Sequence, residues 1–240
     1  MTMNSPESWQ EYWDRPAYFF AGSHQSRLSS EVLVDNLLGV LPRKQDCVLL
    51  DYGCGRHPAT VRLVEHGMRL RLYDQSASAR SIVADEYTDA HDVDVLAEFD
   101  PMQIGAGAVD YVLMNSVVQY MTIPQLQEVA RIVSKILKPR GIFIVSDVIP
   151  QKTSMLPDLS RILMQAVKSG YFVDTMASLV KLQLSPYRKL LISQGLSTHD
   201  LTSLSDILTP LGFRVTQLEN NIGIAANRTA YFARLDNSHR

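Results

Sequence analysis

The stretch Val48-Leu49-Leu50-Asp51-Tyr52-Gly53-Cys54-Gly55 decides the fold of this chain. An apolar run that ends in an acid and two glycines is typical of a buried parallel strand that turns tightly into a helix. Glycine adopts positive φ angles without strain and lets a ligand approach the backbone closely. A helix-like segment follows from about Ala59. The stretch therefore predicts a strand, a ligand-binding loop and a helix.

The composition of this loop favours S-adenosylmethionine (SAM) over a dinucleotide. The dinucleotide fingerprint requires a third glycine, whereas Arg56-His57-Pro58 follows Gly55 here. SAM carries a cationic sulfonium and ammonium and has no phosphate that needs a helix N-terminus. The acid Asp51 lies two residues before the first glycine. These features disfavour a nucleotide-sugar or NAD(P) enzyme.

The pattern resembles motif I of the class I SAM-dependent methyltransferases. The resemblance runs through about residues 45 to 150 and continues more weakly to the C-terminus. It implies an α/β fold with a Rossmann-like, seven-stranded and mostly parallel sheet, helices on both faces and the last strand antiparallel. It also implies methyl transfer from SAM to an oxygen or nitrogen of a small-molecule acceptor, in secondary or sugar metabolism. The alternative is a SAM-binding protein of the same fold that has another reaction or only a binding role.

Residues 68–74 read as a second strand that ends in an acid about twenty residues after the glycines, as a βαβ unit requires. Asp74 is therefore expected to accept hydrogen bonds from the ribose hydroxyls of the cofactor, with Gln75 beside the adenosine. The alternative is that Asp74 caps the helix that begins near Ser76, because Asp is a favoured cap.

Residues 109–120 read as the fourth strand and a turn into a helix, and they are similar to an Asn-Ser-Val-x-Gln-Tyr segment in a subset of methyltransferases. At such a strand end, backbone carbonyls hold the SAM ammonium. Gln119 and Tyr120 point either toward the substrate or into the helix packing, and both readings stay open. The predicted cofactor-binding residues are Asp51, Gly53, Cys54, Gly55, Asp74, Gln75, Asn115 and Ser116.

The remaining core strands are less distinctive. Residues 91–95 predict a short third strand, which places Leu96 and Ala97 near the adenine. Residues 136–148 predict a helix that stops at Pro139, followed by the fifth strand. Asp147 is expected to close that strand by capping or hydrogen bonding.

We predict one methyltransferase domain, 1–240. It comprises an N-terminal helical lid (1–44), the SAM-binding core (45–150), a helical cap inserted after the fifth strand (151–196) and a C-terminal helix with two strands (197–240). The cap contains helices predicted at 156–167 and 174–184, and its alternative role is a homodimer surface. Ordinary packing is the alternative role of the lid. The lid candidates are Tyr12, Trp13, Tyr18, Phe19, His24 and Arg27.

Composition limits the partners and the compartment. The chain has 240 residues, 46% hydrophobic content and a net charge of −2, with no long basic run that would serve a nucleic-acid backbone. It has only two cysteines, no signal-peptide pattern and no apolar run of membrane-spanning length. We therefore predict a cytoplasmic protein with no nucleic-acid, membrane or metal partner.

A catalytic base is not assigned from the sequence. SAM carries an activated methyl group, so the enzyme chiefly aligns the acceptor for in-line attack. The titratable candidates are His24, His57, His199 and Tyr120, and surface solvation or local hydrogen bonding is the alternative role of each histidine.

Overall fold

The computed structural model describes residues 6–15, 23–42, 45–55, 61–151 and 186–236, with the side chains of 23–28 and 61 left out. Tyr18, Phe19 and His57, and the helices predicted at 156–167 and 174–184, lie outside the described residues. The helices are α1 (Trp9–Trp13), α2 (Ser23–Val40), α3 (Val61–Glu65), α4 (Ala77–Glu86), α5 (Pro101–Ile104), α6 (Ile123–Ile136), α7 (Pro186–Gln194) and α8 (Leu201–Leu208). The strands are β1 (Cys47–Tyr52), β2 (Met68–Tyr73), β3 (Val93–Val95), β4 (Val109–Asn115), β5 (Leu137–Val148), β6 (Phe213–Gln217) and β7 (Thr229–Leu235).

The seven strands form one sheet in the order β3-β2-β1-β4-β5-β7-β6. β1 pairs in parallel with β2 on one side and with β4 on the other, whereas β7 is antiparallel to both β5 and β6. This confirms the predicted fold. The strand order reverses between β1 and β4, and in open α/β sheets ligands bind in the crevice beyond the carboxyl ends of the strands at such a point.

Hydrophobic layers cover both faces of the sheet. Val48 and Leu50 of β1 belong to a cluster that includes residues of α6 and α8, whereas Leu49 belongs to a second cluster that includes Leu33 and Leu37 of α2. Successive strand residues point to opposite faces, so a strand buried on both sides needs a continuous apolar run. The burial of β1 on both faces therefore explains its run of apolar residues.

Two element boundaries differ from what the sequence indicates. Residues 197–200 predict a helix capped by Ser197 or Thr198, whereas α8 begins after Asp200, whose carboxylate forms a capping box with Ser203. α6 ends at Ile136, before Pro139, and the proline lies within β5 at a break in its pairing with β4.

Candidate active site

The loop after β1 is held against the end of β2 by backbone hydrogen bonds. The amides of Gly53 and Cys54 donate to the Tyr73 carbonyl at 2.7 and 3.0 Å. Gly53 and Gly55 have φ angles of 79° and 50°, which L side chains rarely adopt. A Cβ at Gly53 would overlap the Val117 side chain, whereas a Cβ at Gly55 would meet no atom of the described residues within 4 Å. The loop therefore needs Gly53 for protein packing and leaves open space at Gly55.

Asp74 joins the loops that follow β1 and β2. Its carboxylate accepts hydrogen bonds from the amide of Gly55 at 3.0 Å and from the amide of Ser76 at 2.9 Å. The cap of α4 is Ser76, whose hydroxyl accepts from the amide of Ala79. The capping alternative for Asp74 is therefore wrong. Gln75, the next residue, is exposed at this edge of the sheet.

Asp51 is a buried residue, only 5% exposed, and no described residue forms a hydrogen bond with its carboxylate. Burial, followed by the negative charge of Asp74, raises the pKa of Asp51 to about 7. Burial and the same two carboxylates also raise the pKa of the Cys54 thiol. An uncompensated carboxylate beside a ligand loop matches a cationic ligand.

A network of polar side chains lies at the carboxyl ends of β4 and β5. The Ser116 hydroxyl donates to one carboxylate oxygen of Asp147 at 2.6 Å, and Asn221 donates to the other at 3.1 Å. The Ser146 hydroxyl donates to the Asn115 amide oxygen at 2.9 Å. Ser116 and Asp147 both have a φ of 58°. A non-glycine residue in this left-handed backbone conformation costs on the order of 1 kcal/mol of stability, and such strain concentrates at functional sites.

Helix α1 is attached to the loop after β2. The Asp14 carboxylate accepts hydrogen bonds from the Ser76 hydroxyl at 3.0 Å and from the Ser78 amide at 3.3 Å, and the Asp14 carbonyl accepts from the Ser78 hydroxyl at 2.8 Å. At the other end of α1, the Trp9 indole donates to the Gly195 carbonyl at 3.2 Å. The helix thus spans from the β2 loop to the end of α7.

Five aromatic rings, which we call the roof cluster, join α1 to α7 and to the turn after β4. Neighbouring ring centroids lie 4.9 to 6.1 Å apart, mostly in edge-to-face arrangements. Burial, followed by the neighbouring Tyr187, raises the pKa of Tyr120 well above its ordinary value. The Tyr120 ring therefore packs against the rings of Trp9 and Trp13 in α1. Of the two orientations considered from the sequence, this is the one in helix packing. The members are Trp9, Tyr12, Trp13, Tyr120 and Tyr187.

Other residues near the carboxyl edge differ in how well the sequence indicated them. His199 is buried, its amide donates to the Ile149 carbonyl at 2.9 Å, and burial lowers its pKa. The Phe99 ring centroid lies 4.8 Å from that of Tyr52 and 5.5 Å from that of Tyr73. The sequence gives no indication of these contacts beyond the position of Phe99 shortly after β3. Asp14 was not predicted as a site residue, since no local pattern marks it. The loop of Asn221 was expected either to reach the substrate or to be an ordinary turn.

Comparison with known proteins agrees with this geometry. A family model described as a methyltransferase domain matches residues 24–218, so the chain belongs to this family of class I SAM-dependent methyltransferases. SAM is the methyl donor of the family, and the chain is a SAM-dependent methyltransferase. No protein with a curated function matches the sequence.

Solved structures show the same fold at low sequence identity. A SAM-dependent methyltransferase, described as putative in its published title, from Methanococcus maripaludis superposes with a TM-score of 0.63 and 12% identity over 100% of both chains. An O-methyltransferase family protein from Burkholderia thailandensis has a TM-score of 0.61 and 13% identity over 96% of this chain, which spans 64% of that protein. The mitomycin 7-O-methyltransferase has a TM-score of 0.57 and 15% identity over 87% of this chain and 54% of its own.

Within the described ranges, no group of three or more His, Cys, Asp or Glu side chains is arranged to hold a metal ion. None of the helices in the described part of the chain has the length and apolar character needed to cross a membrane.

Proposed function

We propose that this enzyme transfers the methyl group of SAM to an oxygen or nitrogen of a compact small molecule, in secondary or sugar metabolism. The observation that carries the proposal is the roof cluster, which ties α1 and α7 to the turn after β4. A lid of aromatic side chains beside the carboxyl edge suits an acceptor that is enclosed, because enclosed ligand sites are mostly apolar with few polar groups. The net charge of −2 gives no support to a polyanionic acceptor.

The cofactor is proposed to lie across the carboxyl ends of β2, β1 and β4. The ribose hydroxyls donate to Asp74, and the adenosine lies beside Gln75. The loop residues Gly53, Cys54 and Gly55 approach the methionine part of SAM, supported by the open space at Gly55. Asp51 compensates the cationic ammonium.

Asn115 and Ser116 are proposed to lie between the cofactor and the acceptor. When bound, SAM supplies the activated methyl group, and the protein orients the acceptor and excludes water. Because the Ser116 hydroxyl donates to Asp147 at 2.6 Å, its oxygen retains lone pairs that accept a hydrogen bond from the nucleophile of the acceptor. The Ser116–Asp147–Asn221 network holds that hydroxyl in place.

We further propose a single domain over 1–240 that works in the cytoplasm. Cys47 and Cys54 are both buried and neither forms a disulfide, which fits a reducing compartment.

Methyl-labelled SAM tests the class of acceptor. The enzyme is incubated with three fractions of a cell extract from its source: small molecules, protein and RNA. We expect label in the small-molecule fraction. Label in the protein or RNA fraction would contradict the proposal, and no transfer by an enzyme that binds S-adenosylhomocysteine would favour a protein that only binds the cofactor.

The affinity for SAM is expected to rise about tenfold between pH 6 and pH 8. The pKa of Asp51 in the free protein is about 7, and the cationic cofactor binds the ionised carboxylate, so affinity increases as Asp51 loses its proton. Calorimetric titrations across this range measure the effect. Asp51→Asn is expected to bind more weakly at pH 8 and to lose the pH dependence. The same slope in wild type and variant would contradict the role of Asp51.

The same substitution is expected to stabilise the cofactor-free protein at high pH. Because folding raises the pKa of Asp51 from 3.8 to about 7, its contribution to stability is complete below pH 3.8 and is lost as the pH rises through 7. Asp51→Asn should therefore raise the free energy of unfolding more at pH 8 than at pH 5, by a difference on the order of 2 kcal/mol. Melting temperatures at the two pH values measure this difference. An equal change at both pH values would show that Asp51 is already compensated.

Helix α1 is expected to act as a lid. Deletion of residues 1–20 should lower methyl transfer far more than it lowers the melting temperature, because α1 contacts both the β2 loop and α7. Hydrogen exchange should show residues 9–14 and 186–194 becoming more protected when S-adenosylhomocysteine is added. Unchanged protection together with full activity of the truncated protein would assign α1 to structural packing or to a homodimer surface.

A further inference from the structure

Two buried polar atoms beside Tyr120 have no hydrogen-bond partner among the residues that the structure describes. They are the Trp13 indole nitrogen Nε1 and the Gln119 amide oxygen Oε1. Gln119 is only 6% exposed. Leaving such groups unpaired destabilises the folded protein, so unpaired buried atoms in a native fold point to a missing partner.

Gln119 and Trp13 both adjoin Tyr120. Gln119 directly precedes Tyr120 in the short 3-10 helix Val118–Tyr120 that follows β4. The Trp13 ring packs against the Tyr120 ring, with their centroids 5.4 Å apart.

Both residues belong to segments that border the proposed cofactor and acceptor site. Gln119 follows the end of β4 by four residues, and its backbone carbonyl accepts from the amide of Ser197 at 2.8 Å. Trp13 precedes Asp14, which is hydrogen-bonded to Ser76 next to Asp74. Trp13 and Gln119 are therefore connected to the loops that follow β2 and β4, where we place the cofactor and the acceptor.

We propose that Trp13 and Gln119 recognise an uncharged aromatic acceptor that carries a hydroxyl group, an inference that rests on the proposed small-molecule function. A hydroxyl accepts from the Trp13 N–H and donates to the Gln119 oxygen at the same time, whereas a carboxylate satisfies only the first and an ammonium only the second. The surrounding rings favour a planar ring in edge-to-face contact. No member of the roof cluster carries a charge at neutral pH that would compensate a charged acceptor.

The two tryptophans provide a direct test, because the chain contains only Trp9 and Trp13. In ¹⁵N-labelled protein saturated with S-adenosylhomocysteine, each indole N–H gives one signal, assigned with Trp9→Phe and Trp13→Phe. Phenol is the probe, and benzoate and cyclohexanol are its charged and non-planar controls. We expect phenol to shift the Trp13 signal downfield in a saturable way, with weaker or no effect from the controls. The Trp9 signal should stay in place, since that indole already donates to Gly195.

Gln119→Met separates recognition from a structural role. It removes the unpaired oxygen, so the melting temperature should stay the same or rise, while the affinity for phenol falls at least fivefold. A silent Trp13 signal, an equal response to benzoate, or unchanged phenol affinity in Gln119→Met would overturn the inference. Binding of S-adenosylhomocysteine is measured first, and the acceptor-class assay with labelled SAM is scored separately, so failure of this site remains distinct from failure of the proposed function.

Discussion

Gly55→Ala is expected to weaken SAM binding by about tenfold or more while the protein stays folded. Within the described part of the chain, a Cβ at Gly55 meets no atom within 4 Å, so the methyl group enters the space that we assign to the cofactor. The φ of 50° makes alanine somewhat unfavourable there, at a cost of about 1 kcal/mol to stability. Calorimetry with SAM and thermal unfolding measure the two effects separately.

Gly107→Ala is the matched control. Gly107 has a φ of 60° and also has no atom within 4 Å of a built Cβ, but it precedes β4 at the opposite end of the sheet. The two variants should lose similar stability, and only Gly55→Ala should lose affinity. Equal SAM affinity in both variants would show that the cofactor does not approach Gly55.

Asp74→Ala is expected to weaken SAM binding by about tenfold to a hundredfold. Hydrogen bonds to a charged group contribute roughly 1.5 to 3 kcal/mol each, and we assign the ribose hydroxyls to this carboxylate. The substitution also removes the links to the amides of Gly55 and Ser76, which adds to the loss. A change below about threefold in a folded variant would contradict the assignment.

Asp110→Ala controls for the loss of a carboxylate that braces the backbone. Asp110 is also largely buried and accepts hydrogen bonds from the Val48 amide at 2.8 Å and from the Lys138 ammonium at 2.6 Å, but at the amino end of β4. This variant should lose stability and retain its affinity for SAM. Loss of affinity in both variants would trace the effect to general weakening of the sheet.

The features that the sequence predicted correctly are local. The apolar run of β1, the paired glycines and the acid at the end of β2 each occupy a few consecutive residues, and their structural meaning follows from backbone conformation and strand burial. The alternation of strands and helices, together with the family resemblance, then indicates a mostly parallel, seven-stranded sheet.

The features that the sequence did not reveal depend on contacts between distant segments. Asp14 reaches Ser76 across 62 positions, and Asn221 reaches Asp147 across 74. Neither pair has a spacing that periodicity detects. The cap of α8 was misplaced because Ser197, Thr198 and Asp200 are all acceptable caps, and tertiary packing selects among them.

A crystal structure with S-adenosylhomocysteine tests the central claim most directly. We predict that both ribose hydroxyls lie within about 3 Å of the Asp74 carboxylate, that the methionine part crosses Gly55, and that its ammonium faces Asp51. The product bound away from the carboxyl ends of β1 and β2, or with its ribose facing another acid, would contradict this account.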